Sequence, residues 1–594
     1  MAGRKFEIVV AQTAGFCMGV QRAVRMVLDA ADEPRFAMPI RTHGPLIHNR
    51  QVLQVLERRG VVAMQDTDDD ERGTVVIRAH GLPREEQQRL FENWAEVLDA
   101  TCPHVRRVQR IVEEYAGRGY MCIVVGDRGH AEVDGVLSYA GGAGHVVSGP
   151  DEVSALPDAE RVVVVAQTTQ DEDVFRKTVE RAEARYDSCL AFETICRSTG
   201  KRQSEVRELA RQVEAMVVVG GLDSANTRRL AEISAAAGTP TYHVETEQQL
   251  DVDEILRYQK VGLTAGASTP NWMIKRVVRR LEDEYQRRSN LTAFAARSIL
   301  RRMVDADAYA AGAVAALTFA GACLLRVSTE RVGLCMALAF CFSLGQHLLN
   351  QYVRRESLYL SEPCRADFFL AHEHKLLGLA AASACAALAL GLALGVWVFV
   401  LVLAGTLAGL MYQVRLPRLL GAHLGFGSLE QIPGSKELFV GLAGSSLAVL
   451  VPAIAAGGPH ANAPAPHWPS VAAAFVALFA MAGQRTLALG LVGAGGDQLV
   501  GREMLAGFLG SHRAERLHYG LSAVMAGVLA AGGTAGWLTM LAFPLTVCVL
   551  YGLACYLLVR NYAMEGESAE ALIDGQLYLA GLIALLWVAD FGPV

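Results

Sequence analysis

Phe6-Glu7-Ile8-Val9-Val10, then Ala14-Gly15-Phe16-Cys17-Met18-Gly19-Val20, is where the fold of this 594-residue chain first becomes legible. The first five residues read as a short β-branched strand. Gln21 to Ala31 carry helical spacing, and the loop between the two is rich in glycine and holds one cysteine. The same order of strand, loop and helix recurs. Thr74 to Arg78, Cys122 to Gly126, Val162 to Ala166, Met216 to Gly220 and Val261 to Thr264 are further β-branched runs, each followed by a loop and a helical stretch. This rhythm predicts parallel sheets covered by helices. In such sheets ligands bind at the loops beyond the strand C-termini.

The cysteines and histidines fall in those loops. Cys17 has counterparts in Asp99-Ala100-Thr101-Cys102-Pro103, read as following a helix, and in Glu193-Thr194-Ile195-Cys196-Arg197-Ser198-Thr199. The intervals are similar, 85 residues (17 to 102) and 94 residues (102 to 196). One cysteine per block predicts three related lobes, each offering one thiolate to a shared centre. Three thiolates are one fewer than a closed four-Cys cluster uses, which leaves one iron open. Taken singly each cysteine also reads as an ordinary buried residue, and three Cys with a His also suit a structural Zn²⁺. The loops holding His43 and His48, His80, and His130 each contain glycine for close backbone approach, a pattern that suits a polyanion such as diphosphate. Gly220 to Asn226 and Thr264 to Pro270 add small donors at candidate helix N-termini, where phosphate binds through free N–H groups. Ser and Asn there are equally the usual helix caps.

Composition sets the outer bounds. The net charge of -6 implies no nucleic-acid partner. No apolar signal segment follows Met1 to Lys5, so the 12 cysteines favour metal or redox roles over disulfides. Residues 1–300 carry most of the charge, and from about Asp307 the chain turns to Ala, Leu, Gly and Val.

The ordered set GFCMGV, HNRQV, AHG, DATCP, GHAEVDG, AQTT, TICRST, SANTRRL and TAGASTP, over about residues 5–285, resembles the 4-hydroxy-3-methylbut-2-enyl diphosphate reductase (LytB) family. The resemblance implies a trefoil of three α/β lobes around a [4Fe-4S] cluster held by Cys17, Cys102 and Cys196, with an open iron facing the substrate's hydroxyl. It implies that His48, His80, His130, Ser224, Asn226 and Ser268 grip the diphosphate, and that Glu132 with Thr168 delivers protons at the leaving hydroxyl. The products would be isopentenyl and dimethylallyl diphosphate plus water, and electrons would come from an external ferredoxin- or flavodoxin-like donor. A carboxyl beside a diphosphate has a raised pKa because like charges disfavour ionisation, so Glu132 is expected to hold a proton near neutral pH. One departure is Ala225, where the family usually has a second serine. Its backbone N–H is retained while one side-chain hydrogen bond is lost, so somewhat weaker substrate binding is expected.

The second half reads as an all-α polytopic membrane domain, with nine apolar stretches near spanning length at about 308–326, 332–350, 376–392, 395–413, 437–456, 470–491, 518–535, 538–558 and 575–591. Basic loops alternate with loops poor in Lys and Arg. The positive-inside rule then places this half in the inner (cytoplasmic) membrane, among lipid, with the first half in the cytoplasm; Arg326 and Arg331 are exceptions. The domains expected are 1–286, a linker over 287–307, and 308–594. Asn350-Gln351-Tyr352, Gly409 to Tyr412, Pro433 to Lys436 and Gly496 to Arg502 resemble the UbiA-type membrane prenyltransferases. That family uses two Asp-rich motifs, since Mg²⁺ takes hard oxygen ligands when it bridges a diphosphate. Here Gln351 and Arg354 stand where acids are expected, and in the second motif Asp497 remains. A non-catalytic or repurposed descendant is therefore expected, a bifunctional chain with a working transferase being the alternative. Arg485, inside the sixth stretch, is read as facing an internal cavity or making a helix–helix hydrogen bond.

Overall fold

The computed structural model describes residues 5–33, 36, 38–64, 73–327, 329–353, 363–413, 429, 432–457, 466–497, 505–561 and 567–591. It divides into two units, Met1–Phe294 and Ala295–Val594.

The first unit holds three four-stranded sheets, all parallel. One orders Val61–Met64, Ile40–His43, Thr74–Ile77 and Glu96–Asp99; a second orders Gly144–Val147, Met121–Val125, Arg161–Ala166 and Ser188–Ala191. In each the chain enters at the second position, moves outward, crosses to the third and finishes at the fourth. The remaining sheet repeats this order with Thr241–Val244, Ala215–Val219 and Lys260–Ala265, but its fourth strand is Glu7–Val10 from the start of the chain. Three lobes of one topology result, the last closed by the N-terminal strand.

The valine runs explain the central strands. Ile123, Val125, Val162 and Val164 enter one hydrophobic cluster, while Cys122, Val124, Val163 and Val165 enter another on the opposite face. Alternate residues thus bury against helices on both sides, as a parallel sheet requires. Cys102 follows the strand Glu96–Asp99 directly, rather than a helix as its sequence context suggests.

The second unit is helical. Among the described residues helices fill most of the nine apolar stretches, the one at 538–558 being divided between Ala542–Leu545 and Val547–Asn561. Six are long and apolar enough to cross a membrane, and a seventh is counted if Leu291–Asp305 and Ala308–Leu324, bent by 79°, form one span. Val396–Tyr412 is shorter. Ser511–Thr534 opens on the polar residues His512, Arg513, Glu515 and Arg516 and is not among the six. At the bend Asp307 adopts a left-handed φ of 55° and is buried. Its carboxylate meets Arg365 at 3.3 Å and His347 at 3.8 Å and accepts from Gln351; Arg365 also reaches Glu570 at 3.3 Å. Arg485 makes a 2.5 Å ion pair with the fully buried Asp574, so it ties two helices together. Arg331, an exception to the charge rule, donates to the Ala455 carbonyl at 2.5 Å. Arg354, the side chain of Asp497, and Gln498 to Arg502 lie outside the described residues.

Candidate active site

The repeated topology determines where each polar loop emerges. In every lobe the second and third strands flank the point where the strand order reverses, the usual crevice of an open α/β sheet. His48 follows Ile40–His43 and His80 follows Thr74–Ile77. His130 follows Met121–Val125 and Thr168 follows Arg161–Ala166. Ser224 and Asn226 follow Ala215–Val219, and Ser268 follows Lys260–Ala265. The cysteines come from the fourth strands: Cys102 after Glu96–Asp99, Cys196 after Ser188–Ala191 and Cys17 after Glu7–Val10.

Three equivalent hydrogen bonds lock the two sets together. The Cys102 amide donates to Ala79 O at 2.9 Å, the Cys196 amide to Thr168 O at 2.9 Å, and the Cys17 amide to Ala267 O at 3.1 Å. Each acceptor lies two residues past the third strand of its lobe, at or beside His80, Thr168 and Ser268. Each cysteine also occupies the N-cap of a helix: Met18–Asp32, Pro103–Gly117 and Arg197–Ala210. Free N–H groups and the positive end of the helix dipole favour thiolate there. Val20 N lies 3.5 Å from Cys17 Sγ; burial raises the thiol pKa of Cys102 and Cys196, and the amides of His104 and Val105 at the first, and of Ser198 and Thr199 at the second, oppose it.

This donor set fits an iron–sulfur cluster. The three thiols interact electrostatically with one another. A Cβ added at Gly19 would stand 2.7 Å from Cys102 Sγ and 3.9 Å from Cys17 Sγ, so the helix that Cys17 caps needs a glycine at its second position for the two sulfurs to share a centre. A single zinc ion fits less well, because Zn–S bonds of about 2.3 Å in a tetrahedron bring sulfurs to within about 3.8 Å of one another. Among the described residues, the group of three potential ligands gathered within 4.8 Å is His48, His80 and His130, not the cysteines.

The histidines form a compact triangle, with ring centroids 4.6, 5.8 and 5.6 Å apart. His130 Nδ1 caps its helix by accepting from the Glu132 amide at 3.1 Å. The neutral ring therefore carries its hydrogen on Nε2, which makes it a donor to an anion rather than a metal ligand. Burial is the first cause that lowers the pKa of all three rings, with their mutual repulsion and the Arg78 guanidinium adding to it; His130 falls to about 4. The triangle is thus neutral at pH 7. His48 Nε2, His80 Nδ1 and both side-chain polar atoms of Asn226 are buried without a hydrogen-bond partner. Orphaned groups of this kind mark where a polar ligand sits. Ser268 Oγ donates to His48 O at 3.1 Å, and Ser224 Oγ caps the helix Ala225–Ala236. The Ser224 hydroxyl hydrogen and the Ala225 amide, at the start of the helix, have no intrahelical acceptor.

Glu132 lies between histidines and thiols. Its carboxyl is buried, accepting from Thr168 N at 2.6 Å and from Thr168 Oγ1 at 3.0 Å. Burial raises its pKa to about 7 against the opposing pull of the two Thr168 bonds. Burial is thus a cause of the raised pKa separate from the like charge of a diphosphate. All twelve residues singled out in the sequence thus converge on one region. Two that were not singled out belong there as well. Arg78 bears on all three histidines, and Arg202 is buried beside Cys17 and Cys196. Arg78 sits one residue before Ala79-His80, a signal open to notice; Arg202 has no such local mark.

Residues 8–282 match the family described as LytB protein, and residues 370–578 match the UbiA prenyltransferase family. The chain is 43% identical over 277 residues to the 4-hydroxy-3-methylbut-2-enyl diphosphate reductase of Geobacter sulfurreducens, covering 47% of this chain and 97% of that protein. Among solved structures it is similar to the Plasmodium falciparum E-1-hydroxy-2-methyl-but-2-enyl-4-diphosphate reductase, with 26% identity, a TM-score of 0.44, and coverage of 46% of this chain and 87% of that one. It is also similar to a UbiA homolog from Aeropyrum pernix K1, with 16% identity, a TM-score of 0.37, and coverage of 47% of this chain and 97% of that one.

Proposed function

Since the chain belongs, through its N-terminal half, to the LytB family, we propose that this half reduces (E)-4-hydroxy-3-methylbut-2-enyl diphosphate to isopentenyl and dimethylallyl diphosphate, the last step of the non-mevalonate route to isoprenoid precursors. The observation that carries the reading is the threefold bond from each cysteine amide to the loop bearing a polar site residue. Such bonds would keep a thiolate centre and an anion pocket in one register.

Cys17, Cys102 and Cys196 would hold a [4Fe-4S] cluster, which when bound supplies electrons singly and a Lewis-acidic iron. The remaining work falls to this chain's own groups. His48, His80 and His130 donate to the diphosphate together with Ser224, Asn226 and the Ala225 amide, and Ser268 joins them when its hydroxyl turns from His48 O to the ligand. They anchor the ligand so that its hydroxyl-bearing carbon is presented towards the thiols. Glu132, half protonated near pH 7, gives its proton to the leaving hydroxyl, and Thr168 fixes the carboxyl through both oxygens. In balance the C–O bond breaks, two electrons and two protons are consumed, and water and the allylic or isomeric product leave. The electrons come from an external ferredoxin- or flavodoxin-like donor.

The helical half we read as an integral anchor in the cytoplasmic membrane, with the reductase half on the cytoplasmic side, the basic loops setting the orientation. Gln351, at a position where a Mg²⁺-binding acid is expected, is bound to Asp307, which supports a non-catalytic or repurposed descendant. The alternative, a bifunctional chain, draws on the match of residues 370–578 to the prenyltransferase family. The test is an anaerobic assay of the full chain in detergent with a viologen donor. Product formation with acid-labile sulfide present supports the reductase; a colourless, zinc-loaded and inactive protein overturns it. Labelled prenyl transfer that requires Mg²⁺ would establish the bifunctional alternative.

A further inference from the structure

Arg202 is a buried cation whose charge has no dedicated partner. It lies on the helix Arg197–Ala210 that Cys196 caps and is 3% exposed. Its Nη1 donates to Ala265 O at 3.1 Å, and its Nε is buried without a hydrogen-bond partner. The charges it faces are the thiols of Cys17 and Cys196 and the carboxylate of Glu205. Glu205 is committed elsewhere: it accepts from Gln12 N at 2.6 Å, Thr13 N at 2.9 Å and Thr13 Oγ1 at 2.5 Å, in the loop that leads to Cys17. Burying an unpaired guanidinium is expensive unless an anion nearby offsets it. The thiols are the remaining candidates for that anion.

We propose that Arg202 is a positioning residue that raises the reduction potential of the centre held by Cys17, Cys102 and Cys196. The proposal rests on the cluster reading given above. A cluster on three thiolates gains negative charge with each electron it accepts. A fixed cation in a water-poor site favours the more negative form, and salt screens the interaction little. The bond to Ala265 O alone is a structural role that Lys or Gln could each partly fill. The charge effect separates the two substitutions, because Lys keeps the charge and Gln does not.

The test uses the full chain in detergent, with R202K, R202Q and R202L. Iron and acid-labile sulfide are quantified, and the reduced signal is followed by electron paramagnetic resonance through a dithionite titration. That signal comes from loaded centres alone, so partial assembly does not obscure it. The expected result is that R202Q and R202L disfavour the reduced form at least tenfold, about 59 mV more negative for a one-electron couple. R202K should stay within about a third of that shift, at low and high salt alike. A loaded R202Q centre at the wild-type potential, or R202K displaced as far as R202Q, overturns the proposal alone. Wild-type protein without iron and sulfide overturns the cluster reading and the proposal together.

Discussion

Glu132 shows how much a single side chain depends on its surroundings. Its motif, Gly129-His130-Ala131-Glu132, was plain in the sequence, and so was its candidacy as an acid. The reason for its raised pKa was not, because burial is produced by segments far from it in the chain. With a pKa of about 7, the acid form declines as pH rises through neutrality, so turnover is expected to fall on that limb. Glu132→Gln should lose about 10²–10⁴-fold in kcat and lose the limb with it, with KM little changed, as a pH profile of steady-state rates will read. The histidine triangle titrates in the opposite sense. Its rings are neutral when free because their pKa values are lowered, and a bound diphosphate raises them, so binding takes up a proton. KM should therefore fall as pH drops from about 8 to 6, and His80→Asn should flatten that slope. At the neighbouring position Ala225→Ser restores a hydroxyl, worth about 1 kcal/mol or a several-fold lower KM if it reaches the diphosphate. An unchanged KM would remove Ala225 from the binding account.

At the level of elements, two of the three strands that lead to the cysteines were concealed in the sequence. Glu96–Asp99 and Ser188–Ala191 are four-residue edge strands of mixed polarity, without the β-branched run that exposes a central strand such as Val162 to Ala166. The central strands were legible because burial on both faces demands continuous apolar sequence. The edge strands Val61–Met64, Gly144–Val147 and Thr241–Val244 escaped for the same reason, and so did the inner strand Ile40–His43, which carries Arg41 and Thr42: pairing with a neighbour, rather than composition, makes them strands. Gly19 belongs to this scale because it lies in the first turn of a helix, against two sulfurs. Gly19→Ala should cost most of the bound iron while far-ultraviolet circular dichroism stays near wild type, since alanine suits the helix itself but its Cβ crowds Cys102 Sγ. Full iron occupancy in that variant would mean that the thiols meet differently.

For the molecule as a whole, the helical half shows what buried charge requires. Arg485→Leu leaves Asp574 unpaired in the bundle and is expected to cost about 3–5 kcal/mol, read as a lower Tm in detergent; the double variant with Asp574→Leu should recover much of the loss. Neither partner announced the other in the sequence, since 89 residues separate them. Local chemistry written in order along the chain was enough to determine the division into a polar and an apolar half and the parallel α/β character of the first, and its ordered motifs carried the resemblance that points to the three cysteines and the polar grip. Those features depend on residue type and short-range periodicity. The tertiary structure alone decided that the N-terminal strand closes the third lobe, that each cysteine amide docks on a loop from another strand, that Glu132 is buried, and that Arg202 stands beside the thiols. Each of these is a contact between segments distant in sequence, set by the packing of sheets and helices, and no local pattern encodes it.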